Sequence, residues 1–254
     1  MNVSALESIR LALVAAMALT LSAPAPVSAQ PAPPRQVRVT FAKGASSATV
    51  KGQMKGDADV DYVVRAAAGQ TLSVTLKASN RSNYFNVLPP GSADVAMHVA
   101  QDGQPYTGLL PTDGDYNVRV YLMRSAARRN EVSNYELTIS VTGHALAPLP
   151  ASKDALVPGT PFHASASITC LPMPYGDPKP QQCEAFVIRR GTDGTATVEI
   201  PSKGFTRRIL FVQGKPVASD SSEKMTVTRQ GDVTTVKFES GEYYEIVEAL
   251  VIGG

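Results

Sequence analysis

The sequence predicts an all-β protein: an antiparallel, jelly-roll-like β-sandwich followed by a second small β domain. Three observations carry that expectation. Runs such as "YVVRA", "TLSVTL", "YNVRVYLM" and "YELTISV" alternate apolar and polar residues, the period that sends every second side chain to one face of a strand. Clusters rich in Gly, Pro, Asp and Asn interrupt these runs every eight to twelve residues, the spacing of turns in sandwiches and barrels. A stretch containing Pro148, Pro150, Pro158 and Pro161 then breaks the pattern, because proline cannot donate to a sheet ladder, and alternation resumes beyond it.

Residues 1–29 read as a cleaved secretory signal peptide, with Arg10, the apolar run "LALVAAMALTLS" and small residues at 27–29 where a signal peptidase would cut. The run is too short to span a bilayer and no stop-transfer segment follows, so a periplasmic protein without membrane insertion is expected. A single Arg, in place of a twin-Arg pair, points to export of an unfolded chain, and the absence of Cys before Cys170 argues against a lipid-anchored start. Residues 30–36, "QPAPPRQ", form a Pro-rich leader. Residues 37–143 make the first β-sandwich, 144–163 a Pro-rich linker, and 164–254 the second β domain, where "QGKP" and "RQGD" are hairpin turns and "EYYEIVEALVI" is the last alternating run. Only "RSAARRNE" has a composition favouring a turn or two of helix.

Cys170 and Cys183, with twelve residues between them, are expected to form a disulfide in an exported chain. Metal ligation by them is poorly supported, since His98, His144 and His163 show no ligand spacing toward the thiols. "DADVD" places Asp57, Asp59 and Asp61 as in a calcium loop, but Tyr62 stands where Gly is needed and Ala68 where Glu is needed, so it reads as an acidic turn before a strand. No metal and no cofactor are expected.

Charge excludes a further class. Residues 30–143 hold 12 Lys/Arg against 9 Asp/Glu, and residues 144–254 hold 11 against 12, so neither half has the concentrated basic face of a nucleic-acid binder. Enzymatic signatures are missing too: there is no G-x-S-x-G, H-E-x-x-H, P-loop or C-x-x-C, and His98 in "AMHVA" reads as a strand residue. The chain is not expected to be an enzyme.

What remains is the insert "RSAARRN" between two strands, carrying Arg124, Arg128 and Arg129 where a plain connection would use Gly, Asn, Asp and Ser. As a helical turn it puts Arg124 and Arg128 at i and i+4 on one face and Arg129 on another, with Glu131 placed to neutralise Arg128 in part. A guanidinium fork can bind a carboxylate through two hydrogen bonds.

Together "FAKGASSATVKGQMKG", "YVVRAAAGQTLSVTL", "NYFNVLPPGS" and "GLLPTDGDYNVRVYLMRSAARRNEVSNYELTI" resemble the periplasmic inhibitors of g-type (goose-type) lysozyme, over residues 37–143. The resemblance implies a protein partner, a g-type lysozyme, whose acidic glycan cleft is blocked by the Arg-bearing loop. Arg124 and Arg128 match the two ends of the family's R-x-A-A-R, and Arg129 completes the candidate partner-binding set. A tyrosine on a neighbouring loop also contributes in the family; no position here is matched to it, and Tyr84 in "NYF" reads equally as packing. The turns at Gly69 and Gln70 and at Gly114 and Asp115 also resemble the pre-peptidase C-terminal β-sandwich, which keeps a second reading open: a non-catalytic envelope module binding glycan or another envelope protein. The chain has no Trp for stacking on sugars, which weighs against a glycan binder.

Overall fold

Alternating residues of the first half pair into two facing sheets in the computed structural model, which describes residues 33–100, 103–172 and 179–253. The expected signal peptide lies outside the described residues, as do residues 30–32 of the leader, whose last two residues, Arg35 and Gln36, already belong to a strand. One sheet holds β1 (Arg35–Arg38), β3 (Val60–Ala66), β8 (Gly114–Leu122), β5 (Asn83–Leu88) and β6 (His98–Val99), in that order. The other holds β2 (Ser47–Lys55), β9 (Val132–Thr142), β4 (Thr71–Ala78) and β7 (Tyr106–Leu109). Neighbours are antiparallel except β1, which runs parallel to β3.

The period of two decides what is buried. Leu72 and Val74 of β4, Leu137 and Ile139 of β9, Phe85 of β5 and Val118 of β8 all point into one core at 0% exposure. Gly52 on β2 is required there, because a Cβ at that position would lie 2.5 Å from the ring of Tyr135, whose hydroxyl shares a 2.8 Å hydrogen bond with that of Tyr62. Asp61, the last acid of "DADVD", is within β3 and is gripped through both oxygens by Arg119, at 2.7 and 2.9 Å.

The second half forms one sheet of antiparallel neighbours, in the order β14-β13-β12-β11-β10-β17-β16-β15. These are β10 (Ala164–Leu171), β11 (Gln181–Arg189), β12 (Ala196–Ser202), β13 (Phe205–Val212), β14 (Lys215–Ser219), β15 (Met225–Gln230), β16 (Val233–Phe238) and β17 (Tyr243–Val247). Read around the ring this is a consecutive up-and-down order, and the edge strands β14 and β15 approach each other to give a near-closed barrel. The β13–β14 hairpin turns on Gln213 and Gly214, both at positive φ (51° and 71°), the combination a two-residue type I′ turn needs. Cys170 and Cys183 are joined by a disulfide between β10 and β11, with Cα atoms 5.9 Å apart.

The end of "EYYEIVEALVI" departs from the expected alternation. Tyr244 and Ile246 keep the strand period, but Leu250 and Val251 are both buried, and consecutive buried residues fit a helix rather than a half-buried strand. The chain accordingly turns into α2 (Glu248–Ile252), which packs on β10, β11 and β12.

Residues Pro33–Gly254 form one compact unit. The Pro-rich segment between sandwich and barrel runs along both: the Leu146 amide donates to Ala68 and that of Leu149 to Arg189. Thr197 of β12 donates to the Pro111 carbonyl at 2.7 Å, and Thr112 donates to Glu199 at 3.2 Å. These contacts gather at the end of the sandwich where β3 stops and β8 starts. The β8–β9 connection lies at the other end, about 30 Å away by the rise of a nine-residue strand.

Candidate functional site

The Arg-rich insert is a five-residue helix, α1 (Arg124–Arg128), joining β8 to β9. Helices this short do not hold themselves in water, so the geometry comes from their surroundings. Ala126 is fully buried in the sandwich core, and Ala127 packs partly against it. Two small residues underneath leave Arg124, Ser125 and Arg128 on the exposed side. The Met123 amide donates to the Ser82 carbonyl at 2.8 Å.

Asn130, at φ 55°, ends the helix in the left-handed region, and the amides of Arg129 and Glu131 both turn back to the Ala126 carbonyl. Gly56 of the β2–β3 turn closes the underside: its amide donates to the Glu131 carbonyl at 3.0 Å, and a Cβ there would lie 2.8 Å from the Asn130 side-chain oxygen.

Three arginines predicted from sequence reach the surface here, in two different states. Among the described residues, Arg124 and Arg128 make no ion pair. Arg129 donates through Nε to Glu131 Oε1 at 2.6 Å. Glu131 therefore neutralises Arg129 and not Arg128, a correction to the sequence reading that follows from Asn130: the left-handed residue swings Glu131 off the helix and back under Arg129. Asn80 Nδ2 donates to the other carboxylate oxygen at 2.8 Å, and this bond, followed by that from Arg129, holds the Glu131 carboxyl below the usual carboxylate range.

Sequence reasoning missed Asn80 and Arg81. Both belong to the β4–β5 turn that also supplies the Ser82 carbonyl, and Arg81 is exposed beside the insert. The turn-forming string "SNRSN" was their only signal. Tyr84 is on strand β5, not a loop, and stacks on Tyr121 across the outer sheet face with ring centroids 6.4 Å apart.

Elsewhere most buried charged groups are paired with one another, although Asn83 Oδ1, His98 Nε2, Arg189 Nε and Arg190 Nη2 are buried without a hydrogen-bond partner among the described residues. Inside the barrel, Arg207 donates to Glu242 at 2.6 and 3.1 Å and to Asp220 at 3.0 Å, with its guanidinium over the rings of Phe205 and Phe238. A cleft of about 300 Å³ between residues 89–92 and the β12–β13 hairpin borders this cluster, but its charged groups are spent on one another. Among the described residues no group of His, Cys, Asp and Glu is placed to hold a metal ion, and no helix is long and apolar enough to cross a membrane.

No family model matches the chain. A relative named Inhibitor of g-type lysozyme, from Escherichia coli (strain K12), is 30% identical over 110 residues, which are 42% of this chain and 81% of the relative. Among solved structures, PliG of Aeromonas hydrophila, described as a periplasmic lysozyme inhibitor of g-type lysozyme, is 35% identical, covering 43% of this chain and 98% of its own, with a TM-score of 0.41. A mutant of the Escherichia coli inhibitor, PliG-Ec, is 31% identical over 43% of this chain and 99% of its own, with a TM-score of 0.35.

Proposed function

The chain belongs to the family of inhibitors of g-type lysozyme, and from that premise we propose that it is an exported, periplasmic protein that blocks the glycan cleft of a g-type lysozyme with the arginines of α1. Glycosidases of this kind depend on carboxyl groups in an elongated cleft. A blocking protein needs cations on a stiff projection, each able to meet a carboxylate with two parallel hydrogen bonds.

One observation carries the reading: Arg124 and Arg128 stand at i and i+4 on the exposed face of a helix pinned from below by fully buried Ala126, and neither is engaged within the described residues. Arg129, held by Glu131, contributes charge at the rim. The mechanism is occlusion, with no covalent step.

The test is a lytic assay in which the purified mature chain is titrated against g-type lysozyme and against lysozymes of other types. Stoichiometric inhibition confined to the g-type enzyme supports the proposal. Undiminished lysis at excess inhibitor sinks it.

A further inference from the structure

We propose that Glu131 is a positioning residue that locks both ends of the Arg-bearing helix, so that Arg124 and Arg128 are preorganised before the partner arrives; this rests on the reading of α1 as the partner-binding element. α1 supplies little of its own hold. Its N-cap, Met123, makes no side-chain cap, and its first turn has no acidic residue to offset the positive end of the helix dipole, where Arg124 stands.

The missing hold converges on residue 131. Its amide donates to the Ala126 carbonyl and its carbonyl accepts from Gly56. Its two carboxylate oxygens accept from Arg129 Nε and Asn80 Nδ2. From there the ties close a ring: Asn80 Oδ1 accepts the Ser82 amide at 2.9 Å, and the Ser82 carbonyl accepts the Met123 amide at 2.8 Å. Glu131 at the C-terminal end of the insert is thus connected, through a three-residue turn, to Met123 at the N-terminal end.

Charge alone argues against an acid here. A carboxylate beside a cationic docking face repels an acidic partner, so if Glu131 acted only as a charge its removal would tighten binding. A brace predicts the opposite sign. Truncation frees Arg129 and Asn80, lets the helix ends fray, and makes the docking arginines lose freedom at the moment of binding.

The experiment compares the full chain with Glu131→Ala, Glu131→Gln and Asn80→Ala, reading affinity for g-type lysozyme and hydrogen exchange of the amides of residues 123–131 and of Gly56. Glu131→Ala is expected to weaken binding roughly tenfold, mostly through faster dissociation. Glu131→Gln falls between, since its amide oxygen still accepts one of the two donors. Asn80→Ala reproduces part of the loss and is not additive with Glu131→Ala. Local exchange rises in all three while the melting temperature of the sandwich hardly moves.

Binding equal to or tighter than the parent in Glu131→Ala and Glu131→Gln overturns the proposal, as does unchanged exchange at Met123 and Gly56. Should Glu131→Ala fail to fold, the near-isosteric Glu131→Gln decides by the same two readings. A parent that binds no g-type lysozyme overturns the function instead, together with the binding role of Glu131, and the exchange data still decide whether the brace exists.

Discussion

Arg190 of the barrel donates through Nη1 to Asp113 Oδ2 of the sandwich at 2.9 Å, and its side chain is 0% exposed. The same nitrogen donates to the Leu146 carbonyl, and Nε to Thr197 Oγ1. Removing the partner of a buried charge costs more than the pair itself is worth, because the remaining charge stays desolvated. Asp113→Ala should therefore destabilise the chain by about 3 kcal/mol in denaturant unfolding, the lower end for such pairs, since Asp113 keeps 32% exposure. Inhibition should be unaltered, because α1 is at the opposite end of the sandwich. A variant as stable as the parent would show that the pair does not hold the two halves together.

The disulfide acts on the barrel alone. Cys170 and Cys183 close a loop with a sequence separation of 13, and both side chains belong to the barrel core. A loop of that size corresponds to about 3 kcal/mol of unfolded-state entropy. The Cys170→Ala/Cys183→Ala variant should lose about that much stability and keep its potency against lysozyme. Free-thiol titration of the parent should find none without reductant.

His98 predicts a pH dependence of stability. Its Nε2 is buried without a partner among the described residues, and its ring lies against those of Phe85 and Tyr106, at 5.8 and 4.7 Å. Burial holds its pKa below the ordinary imidazole value. A depressed folded-state pKa contributes stability that is complete above the unfolded value of about 6.5 and is lost as pH falls toward the folded one. The melting temperature should drop between pH 7.5 and 5.5, and His98→Phe should flatten that drop. An equal drop in the variant assigns the effect to another group.

What the sequence disclosed and what it hid divide by range. Strand period and turn chemistry are local, so Leu72, Val74, Leu137 and Ile139 could be placed on a buried face from alternation, and the "QGKP" turn from its glycine. The "RSAAR" helix was legible for the same reason. Barrel closure was not: Cys170 of β10 pairs with Tyr244 of β17, far along the chain, and no local pattern encodes that register. The Arg190–Asp113 contact is hidden likewise, joining positions 77 residues apart. Within the site, Arg129 rather than Arg128 meets Glu131 because one residue between them, Asn130, is left-handed, a backbone choice that composition allows but does not dictate.

The sandwich should inhibit without the barrel. Its core cluster contains no barrel residue, and the whole of α1 and its anchors belongs to it. The fragment should nonetheless extend past residue 143, since Leu146 donates to Ala68 and its side chain covers Gly69, where a Cβ would lie 2.5 Å from it. Residues 33–149 should match the full chain in potency while melting lower, having lost the contacts of Pro111, Thr112 and Asp113. A fragment that is folded by circular dichroism yet inactive would assign part of the inhibition to the barrel.

The three arginines should separate by the state in which the fold presents them. Arg124 and Arg128 have no competing carboxylate among the described residues, so each is free to pair with one in an enzyme cleft. Truncating either to Ala should weaken binding on the order of a hundredfold, because docking leaves the enzyme's carboxylate buried without its partner. Lys at either position should recover only part, since a point charge cannot reproduce the two-pronged contact. Arg129→Ala should cost less than tenfold, the size of a rim charge, and part of that through release of Glu131. None of the three should move the melting temperature much, because the side chains are exposed and Ala favours the helix. Lysozyme affinity and thermal unfolding of Arg124→Ala, Arg128→Ala and Arg129→Ala check the ranking. Three variants that bind like the parent would reduce α1 to a solvated loop, and an Arg129 effect as large as the other two would mean that its pairing with Glu131 does not survive contact with the enzyme.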